Sequence, residues 1–85
     1  MFALFARTPM DPSSLDETQL GHMVAVVRRS PGFAWAIWGR DVEHPDDVHT
    51  VVLYDTLEHA EAFAAGIRDD LAAATVSVVE VIAEA

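Results

Sequence analysis

Residues 48–63, VHTVVLYDTLEHAEAF, read as an apolar strand, a two-residue corner and a helix with no slack between them. Residues 48–54 are dense in β-branched and aromatic side chains, which suit a pleated, half-buried surface. Asp55 or Thr56 can cap the helix that follows, because a short side-chain oxygen accepts an orphan N–H of the first turn. Glu58 stands three residues after Asp55, where a capping pair needs it. Leu57, Ala60, Ala64, Ile67 and Leu71, with Phe63 beside them, then recur at a helical period and make one apolar face. A strand tied this closely to an amphipathic helix commits the chain to a sheet with helices packed on it.

The remaining segments fit around that unit. Phe2 to Arg7 is a short apolar run ended by the Pro9–Ser14 punctuation, and is expected as a first strand. Ser14 to Glu17 (SLDE) has the form of a capping box, with acids suited to the positive end of a helix dipole. Leu20, Met23, Val24 and Val27 follow at i, i+3, i+4 and i+7, so one stripe of this helix is buried. Ser30-Pro31-Gly32 ends it, since proline cannot continue a helix and glycine tolerates the left-handed conformation. Phe33 to Trp38 is the second strand, residues 39–47 a polar loop, residues 57 to about 71 the second helix, and Thr75 to Ile82 the last strand. The order βαββαβ predicts a single ferredoxin-like α+β domain over residues 1–85: a four-stranded antiparallel sheet with two helices on one face. Right-handed crossovers place strands one and three at its centre.

Two helices cover only one face of such a sheet, yet the strands are apolar on both. The third carries Val51 and Leu53 on one side and Val48, Val52 and Tyr54 on the other; Phe2 and Leu4 oppose Phe5 on the first. In the last strand, Val76, Val78 and Ile82 oppose Val79 and Val81. A second apolar face must be covered, and a second copy of the same sheet, packed across a twofold axis, is the economical cover. A homodimer through the sheet faces is therefore expected. It would also supply stability to an 85-residue chain that has no cysteine and hence no disulfide.

The charge balance bears on partners. Fourteen acids against five arginines give a net charge of −9, which argues against nucleic acid and anionic membrane. Lysine and asparagine are both absent. No run approaches the ~20 apolar residues of a membrane span. The apolar N-terminus lacks the basic start and small-residue cleavage pattern of a signal peptide, so a soluble cytoplasmic protein is expected.

Ser30-Pro31-Gly32-Phe33, and Leu53-Tyr54-Asp55-Thr56 followed by Ala60-Glu61-Ala62-Phe63, resemble the motifs of the dimeric α/β-barrel superfamily, especially its antibiotic-biosynthesis monooxygenase-like group. The likeness runs from the first strand to the last. It implies a dimer whose two sheets form a barrel, and a pocket in each subunit between sheet and helices. It also implies oxygenation of a small aromatic or polyketide-like substrate without metal, flavin or other cofactor. Cyclisation, isomerisation and simple small-molecule binding are further uses of the same fold. The chain departs from the haem-degrading members, with Ala6 where they carry asparagine, Tyr54 where they carry tryptophan, and no histidine late in the second helix.

Several residues could carry such chemistry. Tyr54 matches the pocket aromatic of the group and offers a hydroxyl to a substrate oxyanion; otherwise it is a core tyrosine. His22, beside the apolar stripe of the first helix, is either a base near neutral pH or a boundary histidine on a solvated flank. Trp35 and Trp38 lie on opposite faces of the second strand, so one faces the pocket and the other the dimer interface. His49 and Thr50 alternate on the third strand and Thr50 is a candidate substrate contact. Arg7 could steer an anionic substrate or pair with one of the many acids. His44 and His59 are expected at the surface, and no spacing of histidines and acids makes a metal site.

Overall fold

The computed structural model describes residues 1–85. Strands β1 (Phe2–Pro9), β2 (Phe33–Arg40), β3 (Asp47–Tyr54) and β4 (Thr75–Glu80) alternate with helices α1 (Glu17–Arg28) and α2 (Leu57–Asp70) in the order βαββαβ. The sheet is antiparallel, in the order β2-β3-β1-β4, so the first and third strands are central as the crossover rule requires. Both helices lie on one face.

The register lays that helix-covered face out in rows. Phe33, Tyr54, Phe2 and Glu80 form the first; Ala36, Val52, Leu4 and Val78 the second; Trp38, Thr50, Ala6 and Val76 the third. Arg40, Val48 and Thr8 begin a fourth. An irregularity between Phe33 and Trp35 lets Phe33 and Ala36 both point to the helices. Leu4, Val52 and Tyr54 are wholly buried, as are Ala60 and Ala64 of α2. The two alanines, one turn apart, let the α2 backbone approach the first two rows closely. From α1 only Val27 is buried.

The boundaries differ from the expectation at the start of α1 and at the strand ends. Ser14 does not cap α1. It closes a 3₁₀ turn, Pro12–Ser14, whose own cap is Asp11, and Asp16 caps α1 by accepting from Gln19 N at 2.8 Å. Pro12 explains the split, because its fixed φ starts a turn before the helix proper can begin. Of the two residues offered as the cap of α2, Thr56 takes the place, accepting from His59 N. Asp55 instead accepts from His59 Nδ1 at 2.7 Å, which lowers its pKa. The strands also run further into the connecting loop, to Arg40 and from Asp47. That loop is tied by Asp41, whose carboxylate accepts from His49 Nε2 at 2.6 Å and from the backbone N–H groups of Glu43 and His44. The imidazole bond, foremost among these contacts, holds the Asp41 pKa at about 2.

One corner joins three elements. Gly32, at φ +80, ends the α1–β2 turn, and its carbonyl accepts from Asp55 N at 3.0 Å. A Cβ there would overlap Asp55 Oδ1 and the His59 ring, so glycine is required for space as well as for φ. Beside it, the Ser30 hydroxyl donates to the Val27 carbonyl. Its single hydrogen being used, Ser30 Oγ accepts from the Tyr54 hydroxyl at 2.8 Å.

Candidate functional site

Small side chains occupy the third and fourth rows of the sheet. Ala6, Thr8 and Thr50 leave a floor too low to meet the helices, and a cavity of about 330 Å³ opens above them. That is near the lower end of the volumes that hold small organic ligands. Trp38 stands on the same floor, opposite Thr50. Met23, Val26 and Val27 of α1 form one wall; Phe63, Ile67 and Gly66 of α2 form the other. Met10 and Leu71 close the ends. Phe63 serves two regions, because its ring also lies 6.0 Å from that of Tyr54. It therefore partitions the packed rows from the cavity.

Five polar side chains reach this apolar space: Thr8, Thr50, Trp38, His22 and Asp70. None makes a side-chain hydrogen bond within the protein. Thr8 is the telling one, since it is only 8% exposed and yet its hydroxyl stays accessible rather than sealed without a partner. A buried hydroxyl normally has a protein partner; here the cavity supplies the room for one. His22, on the exposed flank of α1, and Asp70, the last residue of α2, stand at the rim. No group of three or more histidines and acids is placed to hold a metal ion.

The candidate residues separate by location. His22, Trp38 and Thr50 line the cavity together. Trp35 is on the other face of the sheet and 50% exposed. Arg7 is on that face too, donating from Nε and Nη2 to Asp47 Oδ2 at 2.9 and 2.6 Å, which raises the guanidinium pKa. Tyr54 shares the helix-covered face but lies two rows from Thr50. It is fully buried, does not line the cavity, and commits its proton to Ser30. Burial pushes its pKa up, with the Ser30 bond opposing, so the hydroxyl remains a donor to the corner. Thr8, Met10, Phe63 and Asp70 were missed as site residues. For Thr8 the strand alternation past Arg7 was the available signal, because Ala6 and Thr8 share a face with Leu4.

The architecture is that of the ferredoxin-like α+β class with both helices on one face of the sheet, the arrangement of the antibiotic-biosynthesis monooxygenase structures. One from Deinococcus radiodurans, a candidate antibiotic biosynthesis monooxygenase, superposes with a TM-score of 0.70 at 15% identity, covering 100% of this chain and 95% of that one. An asparagine-to-alanine variant of SnoaB, a cofactor-independent oxygenase from Streptomyces nogalater, gives 0.69 at 13% identity over 98% and 94%. A further antibiotic biosynthesis monooxygenase gives 0.65 at 15% identity over 98% and 100%. No family model matches the sequence, and no curated protein is similar to it. The likeness is one of fold.

Proposed function

We propose that the chain is a cofactor-independent oxygenase of a small aromatic or polyketide-like compound. The observation that carries this reading is the apolar cavity floored by Trp38 and two free threonine hydroxyls, with one imidazole at its rim. The likeness to SnoaB supports it at the level of fold. The substrate ring stacks on Trp38, and its oxygen accepts from Thr50 or Thr8. His22 takes a proton from the activated carbon or phenol. The resulting anion transfers an electron to dioxygen, and the two radicals combine into a carbon-bound peroxide. Loss of water then leaves a carbonyl, so a CH₂ group and O₂ become C=O and H₂O, with substrate and oxygen the only reactants. The apolar walls keep bulk water from the anion.

Dioxygen uptake with anthrones, hydroquinones and catechols tests this. The native chain is expected to exceed the uncatalysed rate, and His22→Ala to lower it on the order of a hundredfold. No uptake across the panel would sink the oxygenase reading. The second reading, a non-catalytic binding module, draws on the same geometry: no protein group hydrogen-bonds His22 to orient it as a base. Saturable binding without oxygen uptake would favour it.

The working form, in this reading, is a homodimer. Trp35 and Ile37 are 50% and 51% exposed on the sheet face away from the helices, with Phe5, Val51, Leu53 and Val79 around them. An apolar patch of that kind on a chain of this size calls for a cover. Sedimentation equilibrium is expected to give twice the chain mass, and Ile37→Glu to give the monomer; a native monomer at micromolar concentration would refute the pairing.

A further inference from the structure

We infer that the cavity selects its ligand by charge: it takes an aromatic compound bearing a protonated amine, which faces Asp70, in preference to its neutral or carboxylate counterpart. The inference rests on reading the cavity as a ligand site. Of its lining residues, Asp70 alone carries a fixed charge; none of the five arginines lines it. Arg7 and Arg40 are engaged by Asp47 and by the Pro45 carbonyl, Arg68 donates to the Val76 carbonyl, and Arg28 and Arg29 end α1. A carboxylate entering the cavity would meet no cation and one anion.

Asp70 is also placed against the local field. It is the last residue of α2, where the helix dipole presents its negative end and an acid is disfavoured. It has no ion-pair partner within the chain, where only Asp41, Asp47 and Asp55 are paired. A cation held at the rim would relieve both conditions. Trp38 and Phe63 add aromatic faces, which attract a cation beside an apolar body. Thr8, a residue only 8% exposed whose accessible hydroxyl has no protein partner, can receive a hydroxyl or carbonyl of the ligand. The ligand class is thus an aromatic ring that carries both an oxygen function and an ammonium. Asp70 is the specificity-determining residue.

Calorimetry with three naphthalene probes tests this: 2-naphthol, an aminomethyl-naphthol and a hydroxynaphthoic acid, at pH 7 and low salt. The ammonium probe is expected to bind most tightly and the carboxylate least, about tenfold apart as rim charges allow. Asp70→Asn should bring the three within about twofold of each other. Asp69→Asn removes the same charge from a residue outside the cavity lining and should leave the order intact. Equal binding of ammonium and carboxylate probes, or an equal effect of both substitutions, would overturn charge selection by Asp70. If naphthol still binds in that case, the cavity remains a ligand site and only the charge rule falls. If no probe binds, the functional reading falls with it.

Discussion

The two ends of the helix-covered face are built from the same strands and behave differently. At one end, Phe2, Leu4, Val52 and Tyr54 rise from the sheet to meet Ala60 and Ala64 of α2, and no space is left. At the other, Ala6, Thr8 and Thr50 are short, Met23 of α1 and Phe63 and Ile67 of α2 stand as facing walls, and a cavity results. Neither the pairing nor the direction of the strands changes between the two. Side-chain volume along two strands is enough to turn a core into a cavity, because a close-packed interior cannot redistribute the missing atoms.

Substitutions that exchange the character of the two ends test this account. Leu4→Ala should cost the most, about 3 kcal/mol in denaturant unfolding, because it opens a void in the filled end that the surroundings cannot close. Tyr54→Phe should cost about 1 kcal/mol through the lost bond to Ser30, and leave oxygen uptake unaltered. A large loss of uptake in a folded Tyr54→Phe protein would mean that the filled end takes part in chemistry. Ala6→Leu runs the other way. It fills the open end, so stability should move by less than about 1 kcal/mol while naphthol binding falls on the order of tenfold.

The smallest effect is acid sensitivity. A carboxyl held below its unfolded pKa, near 3.9, stabilises the fold while ionised. Its contribution is complete above that value and is lost as pH falls through the folded one. Asp41, at about 2, therefore weakens the open end between about pH 4 and pH 2. Asp55, lowered by its bond to His59, acts with the same sign at the filled end. Asp41→Asn should flatten the fall of Tm in that window, and an unaltered slope would show that the exposed pair contributes nothing.

Much of this was legible in the residues themselves. Alternation along a strand assigns faces, so the opposition of Phe5 to Leu4, of Val51 to Val52 and of Trp35 to Trp38 could be read without coordinates. Alternation does not assign position along the face. Tyr54 and Thr50 share a side, and nothing in their spacing says that one is sealed beneath α2 while the other floors a cavity. That outcome depends on how close each helix comes. Ala60 and Ala64 draw α2 in, whereas α1 buries only Val27 and stands away over Ala6 and Thr8. Tyr54-Asp55-Thr56, which resembles a motif with a pocket aromatic, lies at the filled end for the same reason. Ser14 lost its place as the cap of α1 to Asp16 because Asp11 and Pro12 form a short turn that hydrophobic spacing does not reveal.

The knot at Ser30, Gly32, Tyr54 and Asp55 binds the end of α1, the start of β2 and the start of α2 within a few ångströms. It works as the spring of a clothes-peg, with the helices as jaws whose tips flank the cavity. Amide exchange should be graded along the jaws, slowest beside Tyr54 and fastest near Gln19 and Asp70. A cavity set at the far ends of two levers that share one pivot is the part of the molecule least constrained by it, while the packed rows beside the pivot keep the levers aligned.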